Sequence, residues 1–270
     1  MSGIDRIFSD FGRLDRLARQ QTPVHRLDPR AKLIPTAIFL FCVVSFGKYE
    51  VAALLPFFIY PVALAALGRI PLSYVGGRVL AVAPFAVMVG IFNPLLDREI
   101  MLQLGGVAIS GGWVSFVSIL LRFCLTIGTA VVLIGVTSFD GLCLGLQRLA
   151  VPRVFTVQLL VLYRYIFVLG DEAVRLVRAR SLRTFGRRGL GLRNYGSMVG
   201  HLLIRTLERA RRIHLAMRCR GFTGEIHSTR QLRFGRPEVV FAAGWTMAFI
   251  ALRQWNLPLL LEQALKRIGQ

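Results

Sequence analysis

The chain has 270 residues, of which 54% are hydrophobic, with a mean hydropathy of +0.58 and a formal net charge of +20. Such values exclude an ordinary soluble domain, because excess apolar surface needs lipid whereas excess charge needs water or an acidic partner. The sequence therefore predicts an integral membrane protein whose apolar and basic parts are separated along the chain.

Five apolar runs predict membrane-spanning helices. A bilayer core of about 30 Å needs roughly 20 helical residues. The first run is short for that, and Lys32 and Tyr49 are expected to extend it by reaching the headgroups. These runs divide the chain into an N-terminal segment (1–31), four spans (32–138), a basic region (139–236), a last span (237–257) and a C-terminal tail (258–270). The runs themselves are 33–46, 51–67, 79–96, 113–139 and 239–252.

The arginines predict the orientation of these spans. Six arginines lie in the N-terminal segment and two more, Arg69 and Arg78, follow the second run, whereas the loop after the third run has one arginine between two acids. By the positive-inside rule the N-terminus is cytoplasmic and that loop is external. Four crossings then return the chain to the cytoplasm near Ser138.

The apolar segment 154–170 allows two interpretations. As a span, it would bury Arg164 at mid-bilayer and place the following arginines on the external side, against the positive-inside rule. We therefore predict that it is the apolar part of a long helix lying along or beneath the inner leaflet. A sixth span, with a further hidden span to restore parity, stays open as the alternative.

The basic region is helical in pattern. Apolar residues recur at helical spacing from 154 to 183 and again from about 196 to 220, with arginines on the other faces. Each helix runs into arginine near its end, and Gly221 is placed to cap the second one in a left-handed conformation. The predicted fold class is thus an all-α integral membrane protein with about five transmembrane helices and long cytoplasmic amphipathic helices.

The chain lacks the motifs of several enzyme and carrier classes. It contains no GxxxxGK[ST] phosphate loop, no HExxH and no GxSxG, and the five apolar runs carry no acidic residues. We therefore predict no catalytic residue and no metal site. Arg122 and Arg164 are the ionisable residues expected at membrane depth, where each either snorkels or bonds to a backbone carbonyl, or else contacts another subunit.

Several short motifs, in this order, carry a family resemblance. They are "HRLDPRAKLI" (25–34), "TSFDGL" (137–142), "LAVPRVF" (149–155), "YRY" (163–165), the triplet Ala179-Arg180-Ser181, and "RGF" (220–222). Together they resemble the transmembrane T component of energy-coupling-factor transporters. The lead-in "TPVHRLDPR" is most similar to the CbiQ branch, which is tied to cobalt uptake.

The resemblance implies a non-catalytic scaffold in the bacterial inner membrane. Its coupling helices would end in two triplets that dock in grooves of two ABC-type ATPases, and its membrane helices would hold a CbiM-like substrate-binding S component. ATP and Mg would be bound by the partner subunits and no cofactor by this chain. The triplets are Ala179-Arg180-Ser181 and Cys219-Arg220-Gly221, where Ser181 and Cys219 replace the usual glycine and alanine.

Further residues and one other function remain as expectations. Asp28 and Arg30 of the first motif join Arg122 and Arg164 as candidates for intersubunit or structural contacts. The alternative function is a membrane-anchored basic protein that binds anionic lipid or nucleic acid. The arginines of the basic region are not interleaved with aromatic residues in the way expected of a single-strand platform, so membrane lipid is an expected partner and nucleic acid is not.

Overall fold

The computed structural model describes residues 15–18, 20–96, 100–104, 107–183, 192–224 and 234–254. Helices dominate this part of the chain, which confirms the predicted all-α membrane fold, with one short β-hairpin in addition. The helices before the hairpin are α1 Pro23–Arg26, α2 Pro29–Ser45, α3 Val51–Leu54, a 3₁₀ turn Leu55–Phe58, α4 Ile59–Leu67, α5 Leu72–Gly90 and α6 Phe92–Leu96. The hairpin is β1 Ile100–Leu104 and β2 Val107–Ser110, and it is followed by α7 Gly111–Thr137, α8 Phe139–Arg148, α9 Arg153–Arg183, α10 Leu192–Cys219 and α11 Arg236–Gln254.

The chain divides into two compact units. One, the membrane bundle, comprises Arg16–Gly145 and Leu232–Gln270, and the other, the helical pair, comprises Met1–Asp15 and Leu146–Gln231. The helical pair contains α9 and α10, the two helices expected from the basic region. The assignment of these parts to membrane and cytoplasm stays a prediction, and the predicted tail 258–270 lies outside the described residues.

Three helices within the described residues are long and apolar enough to cross a membrane. They are Leu72–Pro94, Gly111–Thr137 and Arg153–Leu182, and Val51–Leu67 is a shorter apolar helix. The first and last predicted spans, α2 and α11, do not meet this criterion: α2 has 17 residues, and α11 carries charged residues in both of its end turns. The third candidate coincides with α9, so composition leaves open both interpretations of residues 154–170.

Helix α7 forms the centre of the membrane bundle and packs against α2, α4, α5 and α6. Its 27 residues correspond to about 40 Å of helix. Lys32 Nζ, near the start of α2, donates to Val136 O at 2.9 Å, near the end of α7. At the other end of the pair, Arg122 Nη2 donates to Phe46 O at 3.0 Å. Helices α2 and α7 are therefore antiparallel.

Helix α11 runs parallel to α2 and packs on it. Arg253 Nη2, at the end of α11, donates to Ser45 O at 3.0 Å, and one turn earlier the Phe249 ring lies 5.4 Å from the Phe39 ring. The start of α11 therefore lies toward the start of α2. Gly145 in α8 also packs against Pro29 at the start of α2. The chain thus leaves the bundle after Gly145 and re-enters it at α11 on the same side.

An aromatic cluster fills the contact between α2, α4 and α11. Phe249 is 1% exposed, and its ring lies 5.0 Å from that of Tyr60 in an edge-to-face arrangement. The Tyr60 hydroxyl in turn lies 2.7 Å from Thr36 Oγ1, which satisfies its polar end. Aromatic pairs of this kind add about 0.5–1.5 kcal/mol each beyond their buried area. This cluster packs α11, near the end of the described chain, against α2 and α4, near its beginning.

The β-hairpin lies in the loop that was expected to be external, and the sequence analysis did not predict it. Its strands pair antiparallel, with Leu104 opposite Val107 and Gln103 opposite Ala108. The sequence between the strands is Gly-Gly, which is a recognised signal for a two-residue hairpin turn. The signal was therefore present, although the strands are short.

Candidate functional site

The first triplet lies in the last turns of α9. Ala179 and Ser181 are exposed and Arg180 is half-buried. The Ser181 hydroxyl donates to the Arg178 carbonyl at 2.8 Å, a bond to the preceding helical turn that is common for serine. Helix α9 continues past the triplet to Arg183. The triplet is thus presented on a regular helix rather than on a loop.

The second triplet forms the end of α10. Gly221 has φ +78°, which confirms the predicted left-handed cap. The Phe222 amide donates to Met217 O and the Gly221 amide donates to Arg218 O, both at 3.0 Å, which is the hydrogen-bond pattern of a Schellman motif. Cys219 and Arg220 are exposed. Arg220 is therefore the last residue before a sharp reversal of the chain, where a guanidinium faces the negative end of the helix dipole.

Glu172 connects the two long helices. Its carboxylate lies 3.5 Å from Arg205 Nη1 and 3.6 Å from Arg209 Nη2, so one acid on α9 holds two bases on α10. The N-terminal part of α9 lines a common groove with the C-terminal part of α10, which makes the helices antiparallel. The groove has a volume of about 490 Å³, and its walls are mainly apolar.

The antiparallel arrangement separates the two arginine ends. Arg180 lies about 12 Å beyond Glu172 along α9, and Arg220 lies about 17 Å beyond Arg209 along α10, in the opposite direction. The structure therefore does not bring the two triplets together. It presents one arginine end on each side of the ion pair at Glu172.

The apolar stripes predicted for the two helices are partly confirmed. Ile166 and Leu169 on α9, and Leu207, Ala210 and Met217 on α10, line the groove. Val199 and Leu203, from the same predicted stripe of α10, are exposed. The periodicity in the sequence thus identified the inner face of each helix, while the extent of the contact depends on where the helices cross.

Arg122 bonds to backbone carbonyls. Its Nη2 donates to Phe46 O at 3.0 Å and also to Gly47 O, in the turn that follows α2. This is one of the two roles that the sequence left open for Arg122, and a contact with another subunit stays a prediction. Arg164 is exposed on α9.

Asp28 and Arg30 have local structural contacts. Asp28 is 3% exposed and caps α2, because its Oδ1 accepts a hydrogen bond from the Arg30 amide at 2.9 Å. The Arg30 Nε lies 3.9 Å from the same oxygen. Their predicted part in contacts between subunits is not tested by these distances.

Lys32 was expected to extend toward the headgroups, and this expectation is wrong. Lys32 is 0% exposed, because its Nζ turns inward to the carbonyl of Val136 rather than outward to water. His25 is also buried and reaches the neighbouring carbonyl of Gly135 at 3.2 Å. Sequence reasoning missed both contacts, although a lysine beside an apolar run and a histidine in a family motif were visible signals.

Cys143 is buried in α8, outside the predicted spans. Burial, together with the negative charge of Asp140, raises the pKa of the Cys143 thiol to about 11. The thiol is therefore protonated at neutral pH and unreactive. Within the described residues, no group of three histidine, cysteine or acidic side chains is arranged to hold a metal ion.

Comparison with known proteins identifies the family of the chain. The family model of the CbiQ cobalt transport protein matches residues 20–231. The chain is 27% identical over 213 residues to an uncharacterised protein of Methanocaldococcus jannaschii, covering 75% of this chain and 72% of that protein. It is 27% identical over 157 residues to the cobalt transport protein CbiQ of Salmonella typhimurium, covering 53% of this chain and 69% of that protein.

A further relative carries the energy-coupling-factor name. The chain is 25% identical over 216 residues to the energy-coupling factor transporter transmembrane protein EcfT of Bacillus subtilis, covering 74% of this chain and 81% of that protein. The matched region includes the membrane helices before α8 as well as α9 and α10. The chain therefore belongs to the CbiQ family of cobalt transport proteins, and it is a CbiQ-like membrane component of a cobalt or energy-coupling-factor transporter.

Proposed function

We propose that this chain is the scaffold that couples two ABC-type ATPases to a substrate-binding membrane subunit, for the uptake of cobalt ions. The observation that carries the proposal is the presentation of Arg180 and Arg220 on opposite sides of the Glu172 ion pair. A guanidinium at the end of a rigid helix can form a directional, bidentate pair with a carboxylate in an acidic groove. Two such ends, facing apart, suit a pair of ATPases that each receive one.

The path of the main chain supports a cytoplasmic position for both helices. The chain leaves and re-enters the membrane bundle on the same side, so residues 146–235 cross the membrane an even number of times. Helix α10 carries many arginines, and each would cost about 2.5–3.5 kcal/mol at the bilayer centre. Neither α9 nor α10 then crosses, and both lie with the N-terminus on the cytoplasmic side of the bacterial inner membrane.

The division of labour in the complex follows from what the chain contains. It has no phosphate-binding loop, so ATP and Mg belong to the partner ATPases and the chain itself is not an enzyme. Its five apolar runs contain no acidic residues to bind a cation, so an S component, CbiM-like in this branch, would select the cargo. The names of the cobalt transport relatives favour cobalt as that cargo.

Substitution of the two arginines tests the proposal. We expect Arg180→Ala or Arg220→Ala to weaken ATPase binding at least tenfold, because loss of one partner of a buried charge pair costs about 2 kcal/mol or more. The measurements are ATPase co-purification in mild detergent and cobalt uptake into proteoliposomes. Uptake should fall with binding, while the amount of each variant in the membrane should stay unchanged.

Arg175→Ala and Arg211→Ala are matched controls, since both arginines are exposed on the same helices away from the triplets. These controls should behave like the unaltered chain. Equal losses in the controls and the triplet variants would contradict the proposal and favour a diffuse basic surface that binds lipid or nucleic acid.

A further inference from the structure

The last carbonyls of α7 are held by two buried side chains from the N-terminal part of the chain. Carbonyls at a helix end lack partners within the helix. The Ser138 amide donates to Ile134 O, but Gly135 O and Val136 O receive His25 Nε2 at 3.2 Å and Lys32 Nζ at 2.9 Å. A basic group at this position also faces the negative end of the helix dipole.

Both donors are buried, so each contact has to offset the cost of removing a polar or charged group from water. Lys32 is 0% exposed and His25 is 6% exposed. Burial of an ammonium group is strongly unfavourable unless the group is hydrogen-bonded. His25 Nε2 is also 3.1 Å from Leu17 O, and both oxygens accept, so this nitrogen carries the proton.

The same N-terminal segment contacts α8. A Cβ at Gly145 would lie 2.6 Å from Leu33 Cδ1 and 2.9 Å from Pro29 Cβ, so only glycine allows α8 to pack this closely on α2. Between the two helices, Ser138 adopts φ 62°, and its Oγ accepts from the Gly141 amide at 3.2 Å. We call residues 135–145 the α7–α8 corner. It is held at both helices by residues 25–33.

The corner lies at the point where the chain passes from the membrane bundle to the helical pair, which begins at Leu146. We propose that Lys32 and His25 are positioning residues that fix the α7–α8 corner, so that force on α9 and α10 moves α7 as a rigid body. A corner without these contacts would bend and absorb the movement. The transmission part of this inference rests on the proposed coupling function, whereas the fixing of the corner does not.

Hydrogen exchange of the full-length protein in nanodiscs tests the fixing of the corner. Lys32→Met keeps the length of the side chain and removes the donor. We expect amides in 138–148 to exchange at least about tenfold faster, the change that corresponds to loss of one hydrogen bond from a charged donor. Lys48→Met, at an exposed lysine in the turn after α2, is the matched control and should leave these amides unchanged.

A second variant keeps the test valid if Lys32→Met does not accumulate in the membrane. His25→Leu removes the donor to Gly135 O while leaving the Lys32 ammonium group in place, and the same amides should exchange faster. Unchanged exchange in the variants that fold would overturn the inference.

Reconstitution with the ATPases and the S component tests the transmission. Lys32→Met and His25→Leu should bind ATPase normally and hydrolyse ATP, yet transport several-fold less cobalt for each ATP hydrolysed. An unchanged ratio alongside faster exchange would overturn the transmission part. If the unaltered chain binds no ATPase, the proposed function fails, and the exchange result alone decides whether Lys32 fixes the corner.

Discussion

Cys219 and Cys143 are expected to differ in reactivity because they differ in burial. Cys219 is exposed beside Arg220, whereas Cys143 is buried and burial raises its pKa to about 11. At pH 7.5 we expect a maleimide to modify Cys219 more than about a hundredfold faster than Cys143, because the thiolate is the reacting species and needs access. Mass spectrometry of the labelled peptides measures both rates.

The pH dependence follows from the same shift. A raised pKa keeps the Cys143 thiol protonated up to high pH, so labelling at pH 9 should still spare it. Addition of the partner ATPase should protect Cys219 from the reagent if the second triplet docks as proposed. Cys219→Ser supplies the blank for this labelling, and equal labelling with and without ATPase would contradict docking at this triplet.

At the scale of helices, Glu172 sets the geometry of the α9–α10 pair. Its two ion pairs are partly exposed, so each is worth about 0.5 kcal/mol after solvent screening. The contact between the helices is otherwise an open apolar groove, which leaves the crossing angle weakly determined. We expect Glu172→Gln, which keeps the shape and removes the charge, to widen the distribution of distances between the two helix ends.

Spin labels at Cys219 and at Ser181→Cys report that distance, in a background where the other three cysteines are replaced by alanine. Glu208→Gln is the control, because Glu208 is an exposed acid on α10. A distribution as narrow in Glu172→Gln as in the control would mean that the groove alone holds the helices.

Local patterns allowed much of this architecture to be predicted from the sequence. Hydropathy located the helices of the bundle, and the glycine after Arg220 predicted a cap that the backbone confirms at φ +78°. Contacts between distant residues were beyond such reasoning. The burial of Lys32 depends on Val136, 104 residues away, and the role of Glu172 depends on Arg205, 33 residues away. The pattern around each residue contains no information on these partners, so Lys32 was misassigned to the headgroups.

For the molecule as a whole, the proposal that residues 146–235 cross the membrane an even number of times makes the topology testable. If α9 spanned the bilayer, α10 would have to span it as well. Insertion of its central arginines into the bilayer would then cost roughly 10 kcal/mol of free energy in total. We therefore expect Ser197→Cys, at an exposed position near the start of α10, to be labelled by a membrane-impermeant maleimide only after cells are permeabilised.

Lys48→Cys, in the exposed turn after α2, provides the contrasting site for the same experiment. It should be labelled in intact cells, because in the proposed orientation α2 begins on the cytoplasmic side and ends at this turn. Labelling of Ser197→Cys from outside would show that α9 and α10 both cross. Arg180 would then lie on the external side, out of reach of a cytoplasmic ATPase. The proposed coupling function would have to be abandoned along with the orientation.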